Sequence, residues 1–282
     1  MFESELLPHL RLNVATSLNE DISTGDLSAQ LLPANLPSSA QVNTRQPGVL
    51  CGTRWFEECF MMLDPDCVIR WEAKDGDSIS PGQTLCRING LARALLSAER
   101  NALNFLQTLS GTATRTRQYV KAVAGINVKI MDTRKTLPGL RHAQKYAVRC
   151  GGGHNQRIGL FDGILIKENH IVAAGGIAPV LAQALRLAKP GMTIQIEIEN
   201  LVQLEEAIGS GAKLILLDNF ALDDLRAAVQ LTGNRAELEA SGGITIENLR
   251  EIALTGVQRI SIGSLTKDVQ ALDLSMRFNP HL

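Results

Sequence analysis

Apolar side chains recur at helical spacing over residues 3–20, and Asp21-Ile22-Ser23-Thr24-Gly25-Asp26 then offers turn and cap chemistry, which predicts an amphipathic helix closed by a turn. Pro33 and Pro37 mark a loop. From Ala40 to Asn89 the pattern breaks into short alternating runs separated by turn signals, among them Lys74-Asp75-Gly76-Asp77 and Ser80-Pro81-Gly82, as expected of a small α+β region. The segment around Asp75-Gly76-Asp77 looks like half of a biotinyl or lipoyl hammerhead, but no lysine hairpin stands beside it, and it is expected to be scaffold. Leu91, Leu95, Ala98, Ala102, Leu106 and Leu109 are three or four residues apart, so one long helix is expected over 91–124, with Glu99, Arg100 and Asn104 near the border of its apolar face.

After Gly125 the pattern changes to apolar strand, polar strand end, helix, repeated. Strands are expected at 128–132, 163–167, 193–199, 213–218, 236–241 and 259–263, with helices at 177–188, 201–208, 221–230 and 246–254. That alternation predicts a parallel sheet with crossover helices. Each strand ends in polar residues or glycine: Asp132-Thr133-Arg134-Lys135, Lys167-Glu168-Asn169-His170, Glu197-Ile198-Glu199-Asn200, Asp218-Asn219, Ser241-Gly242-Gly243 and Gly263-Ser264. Polar groups recurring at successive strand ends point to an α/β barrel with a ligand at its mouth; an open doubly wound sheet gives similar local patterns. In strand 193–199 the isoleucines 194, 196 and 198 share one face, and Gln195, Glu197 and Glu199 share the other, which suits a helix layer outside and carboxylates inside.

The 282 residues are 45% apolar and 20% charged, enough for one large or two moderate domains and unlike a disordered, collagenous or disulfide-framework chain. Net charge is −1, so nothing global favours nucleic acid or an anionic membrane, and any anion chemistry must be local. Five cysteines with no C-x-x-C pair are expected to stay reduced. The acidic start Met1-Phe2-Glu3-Ser4-Glu5 lacks a secretory leader's basic and apolar regions. The uncharged stretches 27–44 and 169–185 are broken by proline and polar residues, so neither is expected to cross a bilayer. A cytoplasmic location is the expectation.

A local cationic field is present. Residues 131–170 hold seven basic groups (Arg134, Lys135, Arg141, Lys145, Arg149, Arg157, Lys167) against three acids (Asp132, Asp162, Glu168). Such a concentration at strand ends suits a substrate with several carboxylates or phosphates. Arg141, Lys145 and Arg149, four apart on a helix, equally fit a solvated ion-paired face. Ser241-Gly242-Gly243 and Gly263-Ser264, after the last two strands, stand where barrels build phosphate sites from backbone N–H groups. Glu197 and Asp218 are candidates to hold Mg²⁺ through water and substrate oxygens, or to be structural partners of lysines. No P-loop, G-x-S-x-G, H-E-x-x-H or zinc-type Cys/His spacing occurs.

The string Met131-Asp132-Thr133-Arg134-Lys135-Thr136-Leu137-Pro138-Gly139, the run Gly151-Gly152-Gly153 before Arg157-Ile158-Gly159-Leu160, and Leu165-Ile166-Lys167-Glu168-Asn169-His170 resemble the quinolinate phosphoribosyltransferases. The likeness continues through Glu99-Arg100-Asn101-Ala102-Leu103-Asn104, Leu216-Leu217-Asp218-Asn219-Phe220, Ser241-Gly242 and Leu265-Thr266-Lys267, and so spans essentially the whole chain.

The resemblance implies an N-terminal α+β sandwich over 1–110, joined by the C-terminal tail 270–282, and a seven-stranded, TIM-like α/β barrel over 111–269, in a homodimer. It implies that quinolinate and 5-phosphoribosyl-1-pyrophosphate (PRPP), with Mg²⁺, give nicotinate mononucleotide, pyrophosphate and CO₂. Quinolinate would meet Thr133, Arg134, Lys135, Gln156, Arg157 and Lys167, with Arg100 reaching in from the partner subunit. PRPP would meet Glu197, Asp218, Ser241, Gly242, Gly243, Gly263 and Ser264, and the catalytic set would be Lys135, Lys167, Glu197 and Asp218. Many members carry His where this chain has Gln156, so a neutral contact to quinolinate is expected there. Whether Glu197 or Glu199 faces the ribose stays open: Glu199 lies nearer the strand end, while spacing to Asp218 favours Glu197. A transport-operon relative shares the T-R-K-T region. A Schiff-base aldolase using Lys167 and a non-catalytic dicarboxylate sensor are the readings from other classes.

Overall fold

The computed structural model describes residues 2–279, so Met1 and the last three residues of the tail 270–282 lie outside the described residues. The chain divides into two compact units, one comprising 1–117, 136–152 and 266–282, the other 118–135 and 153–265.

The first unit opens with α1 (Phe2–Ile22) and continues through β1 (Pro37–Thr44), β2 (Gly48–Val49), α2 (Thr53–Met61), β3 (Val68–Trp71), β4 (Ser78–Ile79) and β5 (Thr84–Leu91) into α3 (Ala92–Ala122). Two later elements belong to it, α4 (Arg141–Cys150) and β12 (Leu274–Phe278). Its main sheet is antiparallel in the order β12-β1-β5-β3, and β12 pairs with β1 from Thr44↔Leu274 to Ala40↔Phe278. Leu274 and Met276 are buried while Ser275 and Arg277 face outward, the alternation a one-sided sheet requires. Trp55, Phe56 and Phe60 of α2 are fully buried in the core, and Phe56 packs edge-on against Trp71 with ring centroids 5.4 Å apart. On α3 the expected face is buried from Leu95 to Leu109, whereas Leu91 ends β5 and is exposed. Gly111 permits close backbone approach: a Cβ there would stand 2.1 Å from the carbonyl oxygen of Gln270.

The second unit holds the six expected strands: β6 (Lys129–Met131), β7 (Gly163–Ile166), β8 (Thr193–Ile198), β9 (Leu214–Asp218), β10 (Glu237–Ser241) and β11 (Arg259–Ser261). They are parallel in the order β6-β11-β10-β9-β8-β7. The helices are α5 (Glu168–Ala174), α6 (Ile177–Leu187), α7 (Leu201–Gly209), α8 (Leu222–Thr232) and α9 (Leu249–Ala253), while α10 (Ser264–Lys267) ends the barrel sequence. The pattern predicts the first crossover helix only from 177; α5 is the addition.

A seventh ladder strand is expected, and the structure reduces it to one parallel bridge, Met131↔His154. His154 N–H donates to Ile130 O (2.8 Å) and Asp132 N–H to His154 O (3.0 Å). The next available backbone donor, Gln156 N–H, is taken by the Asp132 carboxylate at 2.8 Å, so a side chain ends the ladder. On a flat sheet the three strand spacings from this segment to β10 would span about 14 Å. Yet the Gln156 amide donates to the Glu239 carboxylate of β10, so the sheet curls, and Arg157 Nη1 donates to Gly163 O (2.9 Å) of β7, linking the two ends of the strand order. The result is the expected α/β barrel. Ile196 and Ile198 lie in the buried apolar cluster that also takes residues from the helices, while Gln195 bonds Glu239 and Glu197 meets Lys167. Among the described residues no single helix is long and apolar enough to cross a membrane.

Candidate active site

Strand ends converge because parallel strands deliver all their C-terminal residues to one end of a barrel. Lys167, just past β7, bonds both Glu197 oxygens of β8, at 2.9 and 3.2 Å. The lysine is itself oriented by α5: its backbone N–H donates to His170 Nδ1 (3.0 Å), and its backbone begins the helix in extended conformation. Asp218, the last residue of β9, is third in the group. Burial holds its carboxyl above the usual carboxylate range, Glu197's charge pushes the same way, and Lys167 and Lys135 pull it back. Two carboxylates and two lysines therefore share one strand-end layer. Glu199 lies outside β8 and is exposed, its backbone N–H held by Gln203, so Glu197 is the carboxylate that meets Lys167 and Asp218.

The glycines at the strand ends are spacers. A Cβ on Gly263 would come within 2.9 Å of the Lys135 Cδ and 3.7 Å of the Thr133 hydroxyl, so the Lys135 stem crosses the end of β11 over a residue with no side chain. The Thr133 hydroxyl accepts the Lys135 backbone N–H (3.0 Å), shaping that turn. Gly242 (φ +99°) and Gly243 (φ +57°) turn the chain after β10, and Asn219 lies on Gly242, its Oδ1 2.0 Å from where a Cβ would be. Asn219 is left-handed (φ +56°), donates its backbone N–H to Ser241 O (2.9 Å) and bonds Asp218 Oδ2 through its amide (2.9 Å). Ser241 and Ser264 end β10 and begin α10, both half-buried.

Arg134 and Arg157 form a second group. The Arg157 guanidinium is held below its usual range, first by burial and then by the charge of Arg134, with Asp162 opposing. The two guanidiniums are close enough for their charges to repel, and Arg157 Nη1 is held on Gly163 O at the start of β7 (2.9 Å). Gln156 turns onto Glu239, inside the barrel. Of the other basic residues in the 131–170 field, Arg141, Lys145 and Arg149 belong to α4 in the first unit, and Lys145 is fully buried, contrary to a solvated face. Arg100 is exposed on α3, also in the first unit.

Four residues with positioning roles here were given none from sequence: Asp132, which ends the ladder, His170, Asn219 and Glu239. Glu239 had a signal, since Glu237 and Glu239 alternate with apolar residues in β10 just as Gln195 and Glu197 do in β8.

Models of the quinolinate phosphoribosyl transferase C-terminal and N-terminal domains match residues 112–277 and 22–110. A Bacillus subtilis protein named as a probable carboxylating nicotinate-nucleotide pyrophosphorylase is 45% identical over 91% of this chain and 89% of its own length. The carboxylating nicotinate-nucleotide pyrophosphorylase of Mycobacterium leprae is 40% identical over 94% of this chain and 96% of its own. The solved nicotinate-nucleotide pyrophosphorylase of Francisella tularensis superposes with a TM-score of 0.93 at 43% identity, covering 96% of each chain.

Proposed function

The chain belongs to the quinolinate phosphoribosyltransferase family, and from that premise we propose which residues carry its reaction. The enzyme transfers the phosphoribosyl group of PRPP to quinolinate with decarboxylation, giving nicotinate mononucleotide, pyrophosphate and CO₂, a step toward NAD.

Quinolinate carries two adjacent carboxylates. Arg134 and Arg157, whose mutual repulsion a dianion relieves, are the receptor, to which Thr133, Lys135 and Lys167 would contribute from the strand ends. Arg100 of a second copy completes this site in a homodimer; its exposure on α3 supports that role. Gln156 contributes a neutral contact from the edge of the barrel interior. The PRPP phosphates lie against the glycine turns at Ser241, Gly242, Gly243, Gly263 and Ser264, where backbone N–H groups face them without a Cβ in the way. The barrel unit, 118–135 and 153–265 within the expected range 111–269, is the catalytic domain.

Departure of pyrophosphate leaves positive charge on the ribose, which Glu197 and Asp218 stabilise from one side, while Lys135 and Lys167 neutralise the leaving group. The attacking pyridine nitrogen becomes cationic and stabilises the carbanion left at C2 when the C2–carboxylate bond breaks to release CO₂; a proton from water then forms the C2–H bond, so decarboxylation needs no organic cofactor. Glu197 and Asp218 suit Mg²⁺: both offer hard oxygen donors, and the like charge that raises Asp218 is what a dication relieves. Bound with PRPP, Mg²⁺ would supply charge neutralisation at the pyrophosphate. A cytoplasmic working place is supported by five cysteines that are all free thiols.

The observation that carries the assignment is the shared strand-end layer of Lys135, Lys167, Glu197 and Asp218. Purified protein incubated with quinolinate, PRPP and Mg²⁺, with nicotinate as the control substrate, is expected to release nicotinate mononucleotide and CO₂ from quinolinate alone. Undiminished turnover in Glu197→Ala and Asp218→Ala variants would remove these two carboxylates from the mechanism.

A further inference from the structure

The first unit contains a cluster that this reaction does not use. Cys51 follows β2, Asp75 sits in the turn between β3 and β4, and Cys150 ends α4; their two sulfurs and a carboxylate oxygen all lie within 4.8 Å of one another. Cys51 is fully buried, and Asp75 and Cys150 are half-buried, so the cluster is closed on one side and open on the other.

The carboxylate is aimed rather than loose. One Asp75 oxygen accepts the Thr53 backbone N–H (3.2 Å), and the other accepts the Tyr146 hydroxyl (2.8 Å). Arg117 ties the two turns together by donating to the carbonyl oxygens of Gly76 (3.3 Å), Cys150 (3.0 Å) and Gly151 (2.8 Å). Both sulfurs lie against this held carboxylate in the same cluster, so the three donor atoms are brought together by β2, the β3–β4 turn and the end of α4.

We propose that Cys51, Asp75 and Cys150 form a binding site for a borderline-soft divalent cation of the zinc class, with Tyr146 orienting the carboxylate and water taking the fourth position on the open side. Two thiolates and one carboxylate bring three negative charges to a dication, and the neighbouring Arg117 guanidinium balances the remainder. Sulfur donors select against Mg²⁺, so this site is chemically distinct from the strand-end carboxylates. Tetrahedral coordination at about 2.3 Å for sulfur and about 2.0 Å for oxygen needs donor separations of roughly 3.5–3.8 Å, a contraction of about 1 Å from the outer limit seen here. Binding releases the thiol protons, so affinity rises with pH.

Co²⁺ is the probe, titrated into the full chain after reduction and chelator stripping, without substrates. One Co²⁺ per chain is expected, with a near-ultraviolet sulfur-to-cobalt charge-transfer band that Zn²⁺ displaces. Cys150→Ser is expected to abolish the band; Tyr146→Phe is expected to keep it while weakening binding about 10–100-fold, as loss of an orienting partner does. Asp75→Asn is close in size and retains a carbonyl acceptor for Thr53; it is expected to lose at least about tenfold in affinity and decides the matter if Cys150→Ser does not fold. No band in the reduced wild-type chain, a band of equal strength in folded Cys150→Ser, or wild-type affinity in folded Asp75→Asn would overturn the site.

Discussion

Glu239 and Asp218 are carboxylates on adjacent strands of one barrel, and their surroundings differ in what they permit. Glu239 is fully buried, accepts the amides of Gln156 and Gln195 and faces Arg259 Nε at 3.4 Å; burial pushes its carboxyl above the usual range. Asp218 is partly exposed at the strand end, between Glu197 and two lysines. The interior network saturates its acceptor and fixes the curl of the sheet. The strand-end layer leaves charge exposed to a ligand. A cavity of about 230 Å³ is lined by Gln156, Gln195, Arg259 and the strand starts Gly163, Thr193 and Leu214, and Arg157, held on Gly163 O, lines it too.

The comparison breaks most visibly at Glu239. Glu239→Ala leaves two amides without their acceptor and Arg259 with Glu237 alone (3.6 Å), and about 3 kcal/mol of stability should be lost, read by urea unfolding. At the strand ends the pattern should invert. Glu197→Ala is expected to lower kcat/KM by roughly 10²–10³, about 3–4 kcal/mol of transition-state stabilisation. The Lys167–Glu197 pair has a lysine side chain 51% exposed, so the same variant should change stability by no more than about 1 kcal/mol. If Glu197→Ala instead unfolded the barrel, the distinction between the two layers would fail.

Gly242→Ala sharpens the comparison by adding a Cβ at φ +99° against the Asn219 amide; about 1–3 kcal/mol of strain is expected, with KM for PRPP rising more than KM for quinolinate.

The smallest effect concerns pH. Asp218 acts ionised, and its raised pKa means activity falls as pH drops through a value above the ordinary carboxylate range. The Asn219 amide lowers that pKa. Asn219→Gly keeps the left-handed backbone and removes the hydrogen bond, so the acid limb of kcat/KM should move to higher pH. The linkage to stability has the opposite sign. A carboxyl raised in the folded state favours folding in its protonated form, and its contribution is lost as pH rises through the folded value.

The fold was largely legible. All six strands of the second unit fall inside the expected ranges: β7 and β9 are apolar runs, while β8 and β10 alternate apolar and polar residues because one face meets helices and the other the barrel interior. Five of the six residues assigned to the buried face of α3 are buried, because that face is a local 3.6-residue repeat. The meeting of Lys167, Glu197 and Asp218 was legible for a related reason: parallel strands send every C-terminal residue to the same side, whatever the details of packing. The seventh strand was not. Its shortening depends on Asp132 capturing a backbone donor at Gln156, a choice made between segments that the repeat pattern treats as independent.

The same holds for Gln156. Its residue type told only that it carries no charge; that it points to Glu239 follows from the curl of a sheet whose strand order places the two well apart. Lys145 read as one member of a cationic row and is buried. Cys51 and Cys150 showed no metal spacing along the chain and meet only after β2 and α4 have packed. By itself the sequence determined periodicity, element type and which residue types end each strand, since backbone sterics and side-chain alternation act over a few residues. Only the tertiary structure decided which polar groups satisfy one another, because those pairings depend on sheet curvature and packing that bring distant residues within a few ångströms.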